Sequence, residues 1–227
     1  MTYTAAGLIA TITDPQNNVT TYGYDARGNR TSVTDALTHQ TTFAYDSGNR
    51  LTGITYPDSS TSSFTYDYRG RRITATDQDG KTTTYAYDDA DRLTSKTVRK
   101  SQTIQYVYDA LNRLTQKSYP DSTSVQFTYD LIGKVMQVND PTGTYGFSYD
   151  NMGRLTGTST AYSFLTGTFT NAYTYDAASN RTGYTAPDSS TNTYSYDTLN
   201  RLTALSNSWA GSFGFSYDAL SRRTPAS

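Results

Sequence analysis

The chain has no cysteine, one histidine and one tryptophan in 227 residues, and not one of its 20 acidic residues is glutamate. Without cysteine there are no disulfides, no thiolate catalysis and no cysteine-bound metal, although export remains open to such a chain. Glutamate favours helices while aspartate favours turns, so an acidic complement made only of Asp speaks against helix. No apolar run reaches the roughly 18 residues that a membrane-crossing helix needs, and membrane insertion is not expected. Met1 to Ala10 has neither a basic start nor a sustained apolar stretch, so no signal peptide is visible. A net charge of −1 gives no electrostatic pull toward nucleic acid or an anionic bilayer. Aliphatic side chains are also scarce, because the hydrophobic fraction is 35%, 22 residues are Tyr, and mean hydropathy is −0.67.

What the chain has instead is threonine, tyrosine and a strict period. Tyr-Asp occurs at Tyr24-Asp25, Tyr45-Asp46, Tyr66-Asp67, Tyr87-Asp88, Tyr108-Asp109, Tyr129-Asp130, Tyr149-Asp150, Tyr175-Asp176, Tyr196-Asp197 and Tyr217-Asp218. Successive spacings are 21 residues, except for 20 before Tyr149 and 26 before Tyr175. Another aromatic stands two residues before every one of these tyrosines. A decayed copy opens the chain at Tyr3, which keeps the Gly four residues on but lacks the Asp. Residues 1–227 therefore read as a single array of ten or eleven repeats.

The unit is legible as a β-hairpin. Thr82 to Asp88 alternates, with Thr83, Tyr85 and Tyr87 on one face and Thr82, Thr84 and Ala86 on the other. The Asp after Tyr is placed to close an Asx-turn. Four residues after Tyr, Gly and Asn dominate, as a positive φ would require. A return strand such as Arg92 to Thr97 follows, and a second breaker such as Tyr56-Pro57-Asp58-Ser59 ends the unit. The expected fold class is all-β: antiparallel hairpins in one long sheet that must coil, forming part of a spiral or barrel-like shell. A β-helix would need an inward aliphatic stripe that this sequence lacks.

Tyr45-Asp46-Ser47-Gly48-Asn49-Arg50-Leu51-Thr52, with parallel octapeptides at Tyr108 and Tyr196, resembles the YD repeat of RHS proteins across the whole chain. The resemblance implies a large sheet spiralling into a hollow shell. Such shells enclose a toxic polypeptide in RHS and Tc-type toxins, and form an adhesion scaffold in teneurins. Toxin-releasing members end their repeats with a self-cleaving Asp segment. The closing Ser221-Arg222-Arg223-Thr224-Pro225-Ala226-Ser227 has none, so the chain is expected to be a piece of a shell, a truncated or naturally short open reading frame, or a subunit that assembles further.

Candidate chemistry is thin. Ten equivalent Asp residues fit turn chemistry better than catalysis, which needs carboxylates in divergent environments. Asp77-Gln78-Asp79-Gly80 begins like a calcium loop, but no Glu exists to close it. His39 stands alone in a turn. Asn18, Asn29 and Asn180 match the glycosylation acceptor pattern in a Thr-rich chain where such matches arise easily. The arginines five residues after Tyr, from Arg50 to Arg222, are expected to brace or stack within the repeat. The reading is a non-enzymatic shell or scaffold element of a secreted or cell-surface protein, with no cofactor and no metal. Its open sheet edges are expected to drive self-association. The alternative is an adhesin or carbohydrate-binding module using the aromatic ladder. The long interval before Tyr175 marks a possible contact hairpin with Tyr162, Phe164 and Phe169.

Overall fold

In a computed structural model, which describes residues 1–224, the chain is all-β. Pro225, Ala226 and Ser227 of the closing heptapeptide lie outside the described residues. Two compact units are present, Met1–Tyr106 and Val107–Ser227. The first holds β1 (Thr2–Tyr3), β2 (Ile9–Thr13), β3 (Val19–Tyr24), β4 (Arg30–Thr34), β5 (Gln40–Tyr45), β6 (Leu51–Thr55), β7 (Thr61–Tyr66), β8 (Arg72–Thr76), β9 (Thr82–Tyr87) and β10 (Leu93–Val98). The boundary falls within β11 (Gln102–Tyr108). The second holds β12 (Leu114–Ser118), β13 (Ser124–Tyr129), β14 (Val135–Asp140), β15 (Gly143–Tyr149), β16 (Leu155–Tyr162), β17 (Phe169–Tyr175), β18 (Arg181–Thr185), β19 (Thr191–Tyr196), β20 (Leu202–Asn207) and β21 (Gly211–Gly214). In each unit sequential strands pair antiparallel, as the hairpin reading requires.

Local chemistry makes both kinds of turn alike. At Asp46 the backbone N–H of Asn49 donates to the Asp46 carbonyl at 3.1 Å, and that of Asp46 donates to the Arg50 carbonyl at 3.0 Å. The residue that closes the turn is left-handed: Gly28, Asn49, Gly70, Asp91, Asn112, Gly133, Gly153, Ser179, Asn200 and Ser221 all have φ between 60° and 90°. Gly7, with φ 77°, does the same after Tyr3, where the Thr4 hydroxyl takes over the missing carboxylate by accepting the Leu8 N–H at 3.1 Å. At the opposite end Asn17, Thr38, Ser59, Gly80, Ser122 and Ser189 repeat the conformation.

The two irregular spacings have local causes. Most far-end turns leave five residues between paired positions, as in Thr34↔Gln40, but Asp140 pairs directly with Gly143. The insertion before Tyr175 lengthens the β15–β16 ladder, which runs from Tyr149↔Leu155 to Gly143↔Tyr162.

A β-bulge lies beside eight of the Tyr-Asp turns, and the sequence pattern did not announce it. Tyr45 faces Leu51 while Ala44 faces Gly53, which leaves Thr52 as the extra residue. The slip recurs at Tyr24, Tyr66, Tyr87, Tyr129, Tyr149, Tyr175 and Tyr196. Between hairpins the ladder stops short of this end: β4–β5 pairing ends at Ser32↔Thr42 and β6–β7 pairing at Gly53↔Ser63.

One sheet face carries rows such as Phe43↔Ile54↔Ser62 and Phe127↔Val138↔Tyr145. The other carries Thr, Ser, Gly and Ala, with cross-strand hydroxyl pairs such as Thr65–Thr74 at 2.6 Å and Thr76–Thr82 at 2.8 Å. Among the described residues no hydrophobic side chain is fully buried, and the tyrosines of the Tyr-Asp pairs from Tyr24 to Tyr217 are half-buried. Cross-strand pairs and contacts between hairpins therefore take the place of a two-layer core.

Candidate functional site

Each Tyr-Asp turn is first a local device. Asp46 Oδ1 accepts the backbone N–H groups of Gly48 and Arg50 at 2.9 and 3.0 Å. Its other oxygen, Oδ2, accepts from Arg50 Nε at 2.7 Å. The same pair forms at Asp67–Arg71, Asp88–Arg92, Asp109–Arg113, Asp150–Arg154, Asp197–Arg201 and Asp218–Arg222. The carboxyls of Asp46, Asp88, Asp109, Asp150 and Asp197 are held below their ordinary value. The arginine's backbone N–H is the leading cause, its guanidinium adds to the effect, and partial desolvation opposes it.

The arginine does more than close its own turn. The Arg154 guanidinium lies over the Tyr175 ring, 4.8 Å from its centroid, and Nη1 donates to the Asp176 carbonyl at 2.7 Å. Arg50 over Tyr66, Arg71 over Tyr87, Arg113 over Tyr129 and Arg201 over Tyr217 repeat the geometry at 4.8 to 5.0 Å. The stacking expected within a repeat therefore falls on the following repeat. The direction of the side chain explains this, since an arginine starting beside the turn projects across to the neighbouring hairpin.

Tyrosine completes the joint from the other side. The hydroxyls of Tyr24, Tyr45, Tyr66, Tyr87, Tyr129, Tyr149, Tyr175, Tyr196 and Tyr217 each donate to a main-chain carbonyl of the preceding hairpin at 2.7 to 3.1 Å. The acceptor is the residue beside the bulge, such as Ile9, Leu51 or Leu202, where the inter-hairpin ladder has already ended. The ring thus supplies the bond that the ladder does not.

Where arginine is absent the joint changes chemistry. Asn29 Nδ2 donates to Asp25 Oδ2 and to Asn49 Oδ1, both at 2.9 Å. Asn180 makes the same pair of bonds with Asp176 and Asn200. Lys134 sits 4.8 Å from the Tyr149 ring centroid and donates to the Gly153 carbonyl.

The remaining candidates are placed as follows. Tyr162 lies 5.2 Å from Phe164, 6.0 Å from Phe169 and 6.4 Å from Tyr145, forming one aromatic cluster in which Phe164 is 70% exposed. His39 is exposed and its Nδ1 lies 3.0 Å from Asp35 Oδ2. Asp77 closes an Asx-turn on Asp79 and Lys81 and pairs with Arg99 at 2.8 Å. The amides of Asn18, Asn29 and Asn180 each donate to a neighbouring Asp. Within the aromatic ladder Tyr85 has Arg72 and Lys96 over its ring, at 5.1 and 5.9 Å.

The teneurin YD-shell family model matches residues 60–225, and the RHS repeat model matches residues 3–40 and 28–61. No curated protein matches the sequence. Among solved structures, TcdB2-TccC3 without its hypervariable C-terminal region is similar at TM-score 0.62 and 15% identity, over 98% of this chain and 15% of that one. The complex TcdB2-TccC3-Cdc42 is similar at TM-score 0.60 and 15% identity, over the same shares. At that identity the likeness is one of fold, and this chain spans about 15% of the length of those chains. With the family model covering most of its length, the chain belongs to the teneurin YD-shell family, with the RHS repeat as its unit.

Proposed function

We propose that residues 1–227 serve as one array, a non-enzymatic wall element of a YD-type shell in a protein that works outside the cell or on its surface. The observation that carries this reading is where the repeated polar groups are spent. Asp closes its own turn, Arg ties that turn to the next ring and carbonyl, and Tyr reaches back to the preceding backbone.

A wall element also needs a way to continue. β1 pairs with β2, and β21 pairs with β20. Beyond β21 the chain returns to bridge Tyr217 with Arg223, while Gly211–Gly214 are all exposed and, among the described residues, no strand lies outside them or outside β1. Edge-to-edge growth is tested by sedimentation velocity on the chain and on its Ser212→Lys, Gly214→Lys variant. The reading expects assemblies larger than a dimer that grow with concentration and are lost in the variant. A concentration-independent monomer contradicts it.

A second reading rests on the aromatic cluster of Tyr162, Phe164 and Phe169, in which Phe164 is largely exposed. Saturable binding on a glycan array, lost with Tyr162→Ala and Phe164→Ala, would favour a carbohydrate-binding role. Binding unaffected by those changes would count against it.

A further inference from the structure

Position +3 after each Tyr-Asp tyrosine sits at the tip of its turn, facing out from the end of the sheet. The first unit has Arg27, Gly48, Arg69 and Ala90 there. The second has Leu111, Ile132, Met152, Ala178, Leu199 and Leu220, with Leu131 beside Ile132. The six large aliphatic side chains of this row are 65% to 100% exposed. Turn geometry does not require them, because Arg, Gly and Ala occupy the same position in turns of the same conformation.

We propose that this rim of the second unit is an interface with a second copy of this chain. Three observations point to a copy rather than to an unrelated partner. The first is periodicity. Adjacent turns on one rim are two strands apart, so the aliphatic tips recur about every 10 Å. An identical row, laid antiparallel about a two-fold axis, places its tips in the gaps of the first at every turn together, and such a contact closes at two copies. The second is charge. The carboxylates flanking the row at Asp109, Asp150, Asp197 and Asp218 are each paired with an arginine of the same turn at 2.7 Å, so apposed copies meet little net charge. The third is area. At roughly 100 Å² of apolar surface per side chain, the six expose on the order of 500 Å². That matches the largest patch of a typical monomer, which is often functional. With the intervening Ala110, Asn151 and Thr198 it approaches the roughly 800 Å² per partner of a stable complex.

The test is sedimentation velocity on the full chain, its Ile132→Ser, Met152→Ser, Leu199→Ser variant, and the Ser212→Lys, Gly214→Lys edge variant. Far-UV and near-UV circular dichroism establish that each remains folded. The wild type is expected to dimerise, the rim variant to need at least about tenfold more protein to do so, and the edge variant to keep the rim dimer. That last result separates this interface from growth at β21. A wild type that stays monomeric to about 100 µM, or a rim variant that dimerises as the wild type does, overturns the proposal. So does binding of an apolar dye to a rim that does not dimerise, which would assign the row to another partner.

Discussion

The Tyr66 hydroxyl donates to the main-chain carbonyl of Leu51 at 2.8 Å, joining two hairpins where their backbone ladder has ended at Gly53↔Ser63. The bulge at Thr52 shifts the return strand by one residue, and the tyrosine of the next repeat fills the place of the missing ladder bond. Above the ring lies Arg50, 5.0 Å from its centroid, already held by Asp46. Turn, bulge and ring are therefore one mechanism.

Tyr66→Phe removes the hydroxyl and keeps the ring. The Leu51 carbonyl loses its donor, and the expected loss is about 1 kcal/mol in urea unfolding. The same change at Tyr22, which stands two residues before a Tyr-Asp tyrosine, serves as the comparison and is expected to cost less. Equal losses at the two positions would show that the hydroxyl bond to Leu51 contributes nothing special.

Lys134 occupies an arginine position and offers a gain. A lysine is a point charge, whereas a guanidinium can hold Asp130, cover Tyr149 and reach the next backbone together. Lys134→Arg is expected to raise stability by roughly 0.5 to 1 kcal/mol, read as a higher urea midpoint at unchanged slope. An unchanged or lowered midpoint would mean that the arginine geometry adds nothing at this joint.

The left-handed turn positions predict a reciprocal pair. Gly80 has φ 71° and open space where a Cβ would stand, so Gly80→Ala strains only the backbone. It is expected to cost about 1 kcal/mol. Ser189, at φ 67° in the equivalent turn, is expected to gain several tenths of a kcal/mol as Ser189→Gly. Thermal unfolding of both variants checks the opposite signs.

Acid should unfold the array at the pH where its turn carboxylates protonate. The carboxyls of Asp46, Asp88, Asp109, Asp150 and Asp197 lie lower in the folded chain than their ordinary value of 3.8. As pH falls, the unfolded chain therefore binds protons first, and stability that is full above about pH 5 is lost as pH passes through the lower folded values. With no Glu and a single His, little should change between about pH 5 and 8. Urea midpoints measured across that range and down to about pH 2 test this, and a midpoint flat throughout would contradict it.

What the sequence showed was local. Alternation in Thr82 to Tyr87, the Asx-turns at each Asp and the left-handed residue four after Tyr depend on neighbours along the chain. Ladder ends and bulges depend on the adjacent hairpin. The Leu51 carbonyl became an acceptor only once Thr52 was known to bulge, and Arg154 found its ring 21 residues away rather than in its own repeat. The fixed offset of the Arg-Leu-Thr segment from Tyr was the available signal, since turn closure alone needs no Leu. Replacement of Arg by Asn29 and Asn180 was a second signal, because each faces an Asn in the next repeat.

The central claim is that this machinery joins one hairpin to the next. A double-mutant cycle of Arg154→Ala and Tyr175→Leu, measured by urea unfolding, tests it most directly. The account predicts that the two losses are not additive, with a coupling of about 0.5 to 1 kcal/mol between residues in different repeats. Strict additivity would contradict it.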